Sequence, residues 1–109
     1  MAFYLFQASY PPDQIKAMIA NPQDRGEAAR KVIEGMGGKF HHLFFSFGNY
    51  DIIALFEVPD NVTAAALSMA VSAAGTTAKA KTTPLLTMEE AMQAMKKAGV
   101  ATGYKPPSG

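Results

Sequence analysis

Two apolar runs, Leu43 to Phe47 and Ile52 to Val58, flank the tetrad Gly48-Asn49-Tyr50-Asp51. A Gly-Asn step between runs of that length predicts a β-hairpin, because both residues tolerate positive φ. Tyr50 and Asp51 then open the second strand. If the strands pair about this turn, Phe47 opposes Tyr50, His42 opposes Leu55 and His41 opposes Phe56. Glu57 is then at best a diagonal neighbour of His42.

The flanking segments supply the other elements. Ala2 to Ser9 is aromatic and apolar and is bounded by Tyr10-Pro11-Pro12, which predicts a first strand. Pro11 and Pro12 suit the first turn of a helix, where a missing N–H costs little. Ile15, Met18 and Ile19 continue it to Ala20, and Asn21-Pro22 interrupts it. Asp24 and Glu27, at capping-box spacing, open a second helical segment to Met36. Its expected buried face is Ala28, Ala29, Val32, Ile33 and Met36, and Gly37-Gly38 stops it. Lys39 to Phe47 and Tyr50 to Val58 are the hairpin strands. Pro59-Asp60-Asn61 caps an alanine-rich helix from Val62 to Ala74, which Gly75 ends. A fourth strand is expected near Ala78 to Thr83. There Lys79 and Lys81 share one face, as on a solvated edge. Thr87-Met88-Glu89-Glu90 is a capping box for a last helix to Ala98. Its stripe of Met88, Ala91, Met92 and Met95 reads as core packing.

The order is β-α-β-β-α-β plus a C-terminal helix, the ferredoxin-like α/β plait of the α+β class, with a four-stranded antiparallel sheet. Residues 1–98 make one domain and residues 99–109 a tail without pattern, in keeping with a chain of 109 residues. Strands two and three do not alternate cleanly. Phe40 and Phe44 lie on one side of strand two, and Leu43, Phe45 and Phe47 on the other. Apolar groups on both faces of a small sheet call for cover on both, which predicts a homodimer or higher homo-oligomer.

Composition narrows the function. Ten basic and nine acidic residues give a net charge of +1, too little for a nucleic-acid partner. No apolar run is long enough for a membrane span, and Met1-Ala2-Phe3-Tyr4 lacks the basic start of a signal peptide. The lack of cysteine excludes disulfides, thiolate metal sites and thiol catalysis. A cytoplasmic location is expected.

These residues resemble the GYD domain family of small bacterial and archaeal proteins. The resemblance rests on Gly37-Gly38-Lys39, on Gly48-Asn49-Tyr50-Asp51, and on Glu57-Val58-Pro59-Asp60 ahead of the alanine-rich helix. Thr82-Thr83 followed by Leu85 to Glu90 completes it. It covers roughly residues 2 to 95, and departs from the family at Tyr10-Pro11-Pro12 and in the extended tail. It implies a ferredoxin-like subunit that pairs sheets into a dimeric α/β barrel. It implies no activity, and no catalytic residues carry over.

The candidate ligand-binding residues are His41, His42, Ser46, Tyr50 and Asp51. Neighbouring strand residues point to opposite faces, so His41 and His42 are not expected to share a metal, and no metal or cofactor is expected. Asp51 reads as an acceptor for turn N–H groups. Tyr50 reads as a ring in the sheet interface or in a cavity wall. Gly35, Gly37 and Gly38 follow a helix and do not form a phosphate loop. The sequence favours a non-catalytic protein that binds a small apolar or aromatic ligand, or a partner, at the sheet face. The alternative is a cofactor-independent enzyme, monooxygenase- or isomerase-like, with an enclosed pocket that joins a histidine to Tyr50, Asp51 or Ser46. A third reading makes one histidine an axial haem ligand.

Overall fold

Four strands and four helices follow one another in a computed structural model that describes residues 1–101 and 103–108. They are β1 (Ala2–Ser9), α1 (Pro12–Ala20), α2 (Arg25–Gly35), β2 (Lys39–Phe45), β3 (Ile52–Val58), α3 (Asn61–Ala73), β4 (Lys79–Leu85) and α4 (Met88–Gly99). The strands form one antiparallel sheet in the order β2-β3-β1-β4. This α+β arrangement is compatible with a ferredoxin-like fold.

Alternation along β3 separates the two faces. Ile52, Ala54, Phe56 and Val58 are buried, and Ile53, Leu55 and Glu57 between them are half-buried. The buried set faces α2 and α3. There Tyr4, Ile33, Phe56, Val58, Ala64 and Leu67 make the core. Tyr4 stacks on Phe56 with ring centroids 5.8 Å apart. Its hydroxyl donates to Asn61 Oδ1 at 2.6 Å, so the buried ring brings no orphaned polar atom with it. The opposite face carries Phe3, Leu5, Phe44, Ile53, Leu55 and Leu85, as the strand register requires, and among the described residues no helix packs extensively against it.

Helix ends follow from local chemistry. Asp24 accepts from the Glu27 N–H, one half of a capping box. At the other end of α2 the Gly38 N–H donates to Ile33 and the Gly37 N–H to Glu34, at 2.9 and 3.0 Å. This is a Schellman stop, with Gly37 at φ 80°. Asp60 Oδ1 caps α3 by accepting from the Thr63 N–H and hydroxyl. Thr87 and Glu90 cap α4 reciprocally. The Thr63 N–H, and then its hydroxyl, hold the Asp60 carboxyl below its ordinary value of 3.8. Thr87 does the same to Glu90, whose ordinary value is 4.5. A carboxyl lowered by folding stabilises above its unfolded pKa and loses that contribution as pH falls through its folded pKa. Both caps are therefore expected to hold at neutral pH and to weaken only once the pH falls below the ordinary carboxyl values of 3.8 and 4.5. Lost exchange protection of the Thr63 and Thr87 amides in acid would report the opening.

Three sequence expectations are corrected here. First, β2 ends at Phe45 and β3 begins at Ile52, so a six-residue loop, Ser46 to Asp51, replaces the two-residue turn. The Ser46 N–H donates to the Asp51 carbonyl at 2.7 Å, while the Asp51 N–H turns away to the Ala8 carbonyl of β1. Asp51 thus ties the loop at the end of β2 to β1. Gly48 takes positive φ, 140°, and Asn49 does not.

Second, the predicted register holds from Phe45↔Ile52 to His42↔Leu55, but then shifts so that Phe40 pairs with Phe56. His41 is the extra residue of a β-bulge. The bulge turns Phe40 to the helix side, where it packs against the core and under the Arg30 guanidinium. Phe44, expected beside it, lies on the open face.

Third, the methionine stripe of α4 is not core. Met88, Met92 and Met95 are 73%, 54% and 64% exposed, and α4 makes no extensive packing contact with any other element. The chain is correspondingly long, 58 × 34 × 22 Å with a radius of gyration of 17.6 Å. A compact domain near 100 residues has a radius of about 13 Å.

Candidate functional site

The bulge decides where the histidines point. In a regular strand His41 and His42 would face opposite ways; the inserted residue puts both on the open face. His41 Nε2 lies 2.8 Å from Glu57 Oε2, and its ring stacks on Phe3 with centroids 5.6 Å apart. His42 pairs with Leu55 and stacks on Phe44 at 5.7 Å. His41 therefore does not oppose Phe56, and the carboxylate that regular pairing withheld is its direct partner. The side chain of Glu57 is only 15% exposed and that of His41 33%, so this is a partly screened polar pair set into an apolar surface.

Ser46, Tyr50 and Asp51 lie at the other end of the hairpin. The Ser46 hydroxyl donates to the Tyr50 carbonyl at 2.7 Å, which braces the loop. Asp51 Oδ2 accepts from the Tyr10 N–H at 2.8 Å. Asp51 is thus a structural acceptor, as its short side chain suggested, but for a residue beyond β1 and not for its own turn. The Tyr50 ring lies under Lys79 Nζ, 4.9 Å from the ring centroid, and this cation–π contact gives the aromatic at that position a role. Glu57 stands five residue steps along β3 from Ile52. At ~3.3 Å per residue the two groups stand roughly 16 Å apart, so within one chain they do not converge on a single pocket. Among the described residues, no three histidine, aspartate or glutamate side chains gather to hold a metal ion.

Two partners escaped the sequence reading, Glu57 for His41 and Lys79 for Tyr50. Glu57 offered one signal, as the lone charged residue of an otherwise apolar strand. Asp51 carries a direct prediction. Asp51→Ala strands the Tyr10 N–H and is expected to destabilise the fold by about 1–2 kcal/mol in urea titrations. Asp51→Asn keeps an acceptor and should recover most of the loss.

The helix side of the sheet holds a cleft of about 160 Å³ between α2 and α3, apolar along most of its lining, with Phe6, Leu43, Ala54 and Phe56 from the sheet. None of the candidate residues read from the sequence lines it. Among the described residues no helix is long and apolar enough to cross a membrane.

No curated protein matches the sequence. Among solved structures the chain is similar to At3g17210 from Arabidopsis thaliana, whose crystal structure has been treated by ensemble refinement. The two are 19% identical over 80% of this chain and 95% of that one, with a TM-score of 0.43. The GYD domain model matches residues 4–95. With the Gly48-to-Asp51 loop, the Gly37-Gly38 helix stop and the Asp60 cap all inside that span, the chain belongs to the GYD domain family.

Proposed function

We propose that the protein is a non-catalytic homo-oligomeric subunit whose open sheet face receives a second copy of the chain, so that two sheets close into a dimeric α/β barrel. The observation that carries this reading is the pair of uncovered apolar surfaces. Phe3, Leu5, Phe44, Ile53, Leu55 and Leu85 lie on a sheet face against which no helix of the described residues packs extensively, and α4 presents three exposed methionines without extensive packing on any other described element. Monomeric proteins rarely expose contiguous apolar patches of this kind. Two-fold pairing covers the sheet face with its own copy, and α4 reaches far enough from the body to lie along the partner. Sedimentation of the intact chain at micromolar concentration tests it: a dimer or larger closed assembly is expected, and a stable monomer overturns it.

One observation favours a second reading, a cofactor-independent acid–base enzyme. A histidine held by a carboxylate at 2.8 Å is an oriented base. That reading requires a solvent-filled chamber around His41 once two sheets have closed. A crystal structure of the assembly with the interface packed solid around His41 would eliminate it.

A further inference from the structure

α2 and α3 cover the same face of the sheet but do not pack closely on each other. The gap between them is the cleft of about 160 Å³, with Val32 on α2 and Val71 on α3 as its walls. A smaller hollow of about 80 Å³ adjoins it, and Tyr10, Arg25 and Thr76 line both. The cleft is therefore apolar inside with one polar, cationic margin. Arg25 is half-buried, and its Nη1 donates to Gln23 Oε1 at 3.0 Å. Glu27 and Glu34 both turn to Arg30, and among the described residues no carboxylate lies within 4 Å of the Arg25 guanidinium. Four of its five N–H donors thus remain for something else.

We propose that this cleft binds a small carboxylic acid with a single aromatic ring or a short branched aliphatic body. The body fills the space between Val32 and Val71, and the carboxylate sits on Arg25 beside the Thr76 hydroxyl. Size sets the class: an apolar cavity of ~150 Å³ holds benzene, whereas drug-sized ligands need roughly 300 Å³ or more. Charge sets the head group, because a guanidinium fork matches a carboxylate in two parallel hydrogen bonds. The cleft lies on the helix side of the sheet, opposite the face assigned to the second copy, so the site does not overlap that sheet contact.

Methyl NMR of the intact protein, titrated with benzoate and separately with benzamide, tests this. Saturable shifts of the Val32, Leu43 and Val71 methyls are expected with benzoate in the millimolar range. Benzamide, the neutral analogue, should bind about tenfold more weakly. Arg25→Gln should erase that difference. Val71→Phe should abolish binding by filling the cleft, and Ala29→Leu is the substitute if the larger ring unfolds the chain. Equal affinity for the two probes overturns the proposal, as do shifts confined to other methyls or undiminished binding in the filled variant. Contacts between Val71 and the α4 methionines of a second copy would also overturn it, since another chain would then occupy the space.

Discussion

Leu55→Asp is expected to convert an associating chain into a folded monomer. Leu55 lies at the middle of β3, one of the two central strands, opposite Leu5 on the uncovered face. In a two-fold pairing of these faces the new carboxylate would meet either apolar surface or its own copy. An unpaired charge trapped in such an interface costs about 3–5 kcal/mol, which weakens the dimer at least ~100-fold. Within one chain the same change loses a cross-strand apolar pair worth about 1 kcal/mol or less, so far-UV circular dichroism should be nearly unchanged. Sedimentation of variant and parent at matched concentration gives the comparison. If Leu55→Asp sediments with the parent, the sheet face is not the contact.

The second large effect belongs to Gly38. Its φ is not positive, so backbone conformation does not demand glycine there; space does. A Cβ at this position would sit 2.3 Å from the Glu57 carbonyl oxygen, 2.9 Å from Val58 Cγ1 and 3.0 Å from Ile33 Cγ2. The first of these is backbone of a central strand and cannot rotate away. Gly38→Ala is expected to destabilise the protein by about 3 kcal/mol, the upper end for overpacking, read as a shifted urea midpoint. Gly35→Ala supplies the control, since a Cβ there meets nothing within 4 Å. Alanine is the better helix former by roughly 0.5–1 kcal/mol, so this variant should be more stable than the parent. If both variants unfold alike, the close approach of α2 to β3 is not what Gly38 serves.

How far the sequence could be read depended on the range of each interaction. Element order came from signals within a few residues: proline at a helix start, glycine at a helix stop, Thr87 and Glu90 at a cap. The bulge at His41 has no such signal, because neither it nor His42 differs in type from a regular strand residue, and one inserted residue reverses every facing assignment before it. Asp51 was legible as an acceptor but not as the partner of Tyr10, which lies 41 residues away. The methionine stripe showed that α4 has an apolar side, since periodicity encodes amphipathicity; it does not encode which surface that side will meet. The cleft was not legible at all. It depends on the spacing between α2 and α3, which the sheet beneath them sets, and only Ala28 and Ala29 hinted that the helix was thin there.

The bulge has a consequence for the geometry of assembly. A sheet can grow sideways, strand by strand, into an open-ended fibre, or it can close on a second sheet and stop. Here β2 forms one border and β4 the other. The extra residue at His41 breaks the even row of donors and acceptors that a neighbouring strand would have to match. Across the sheet, Pro84 removes an N–H from β4, and Lys79 and Lys81 place charge beside it. With both borders spoiled for pairing, lateral growth is suppressed, and the two-fold contact proposed for the broad surface would use itself up and leave the assembly finite.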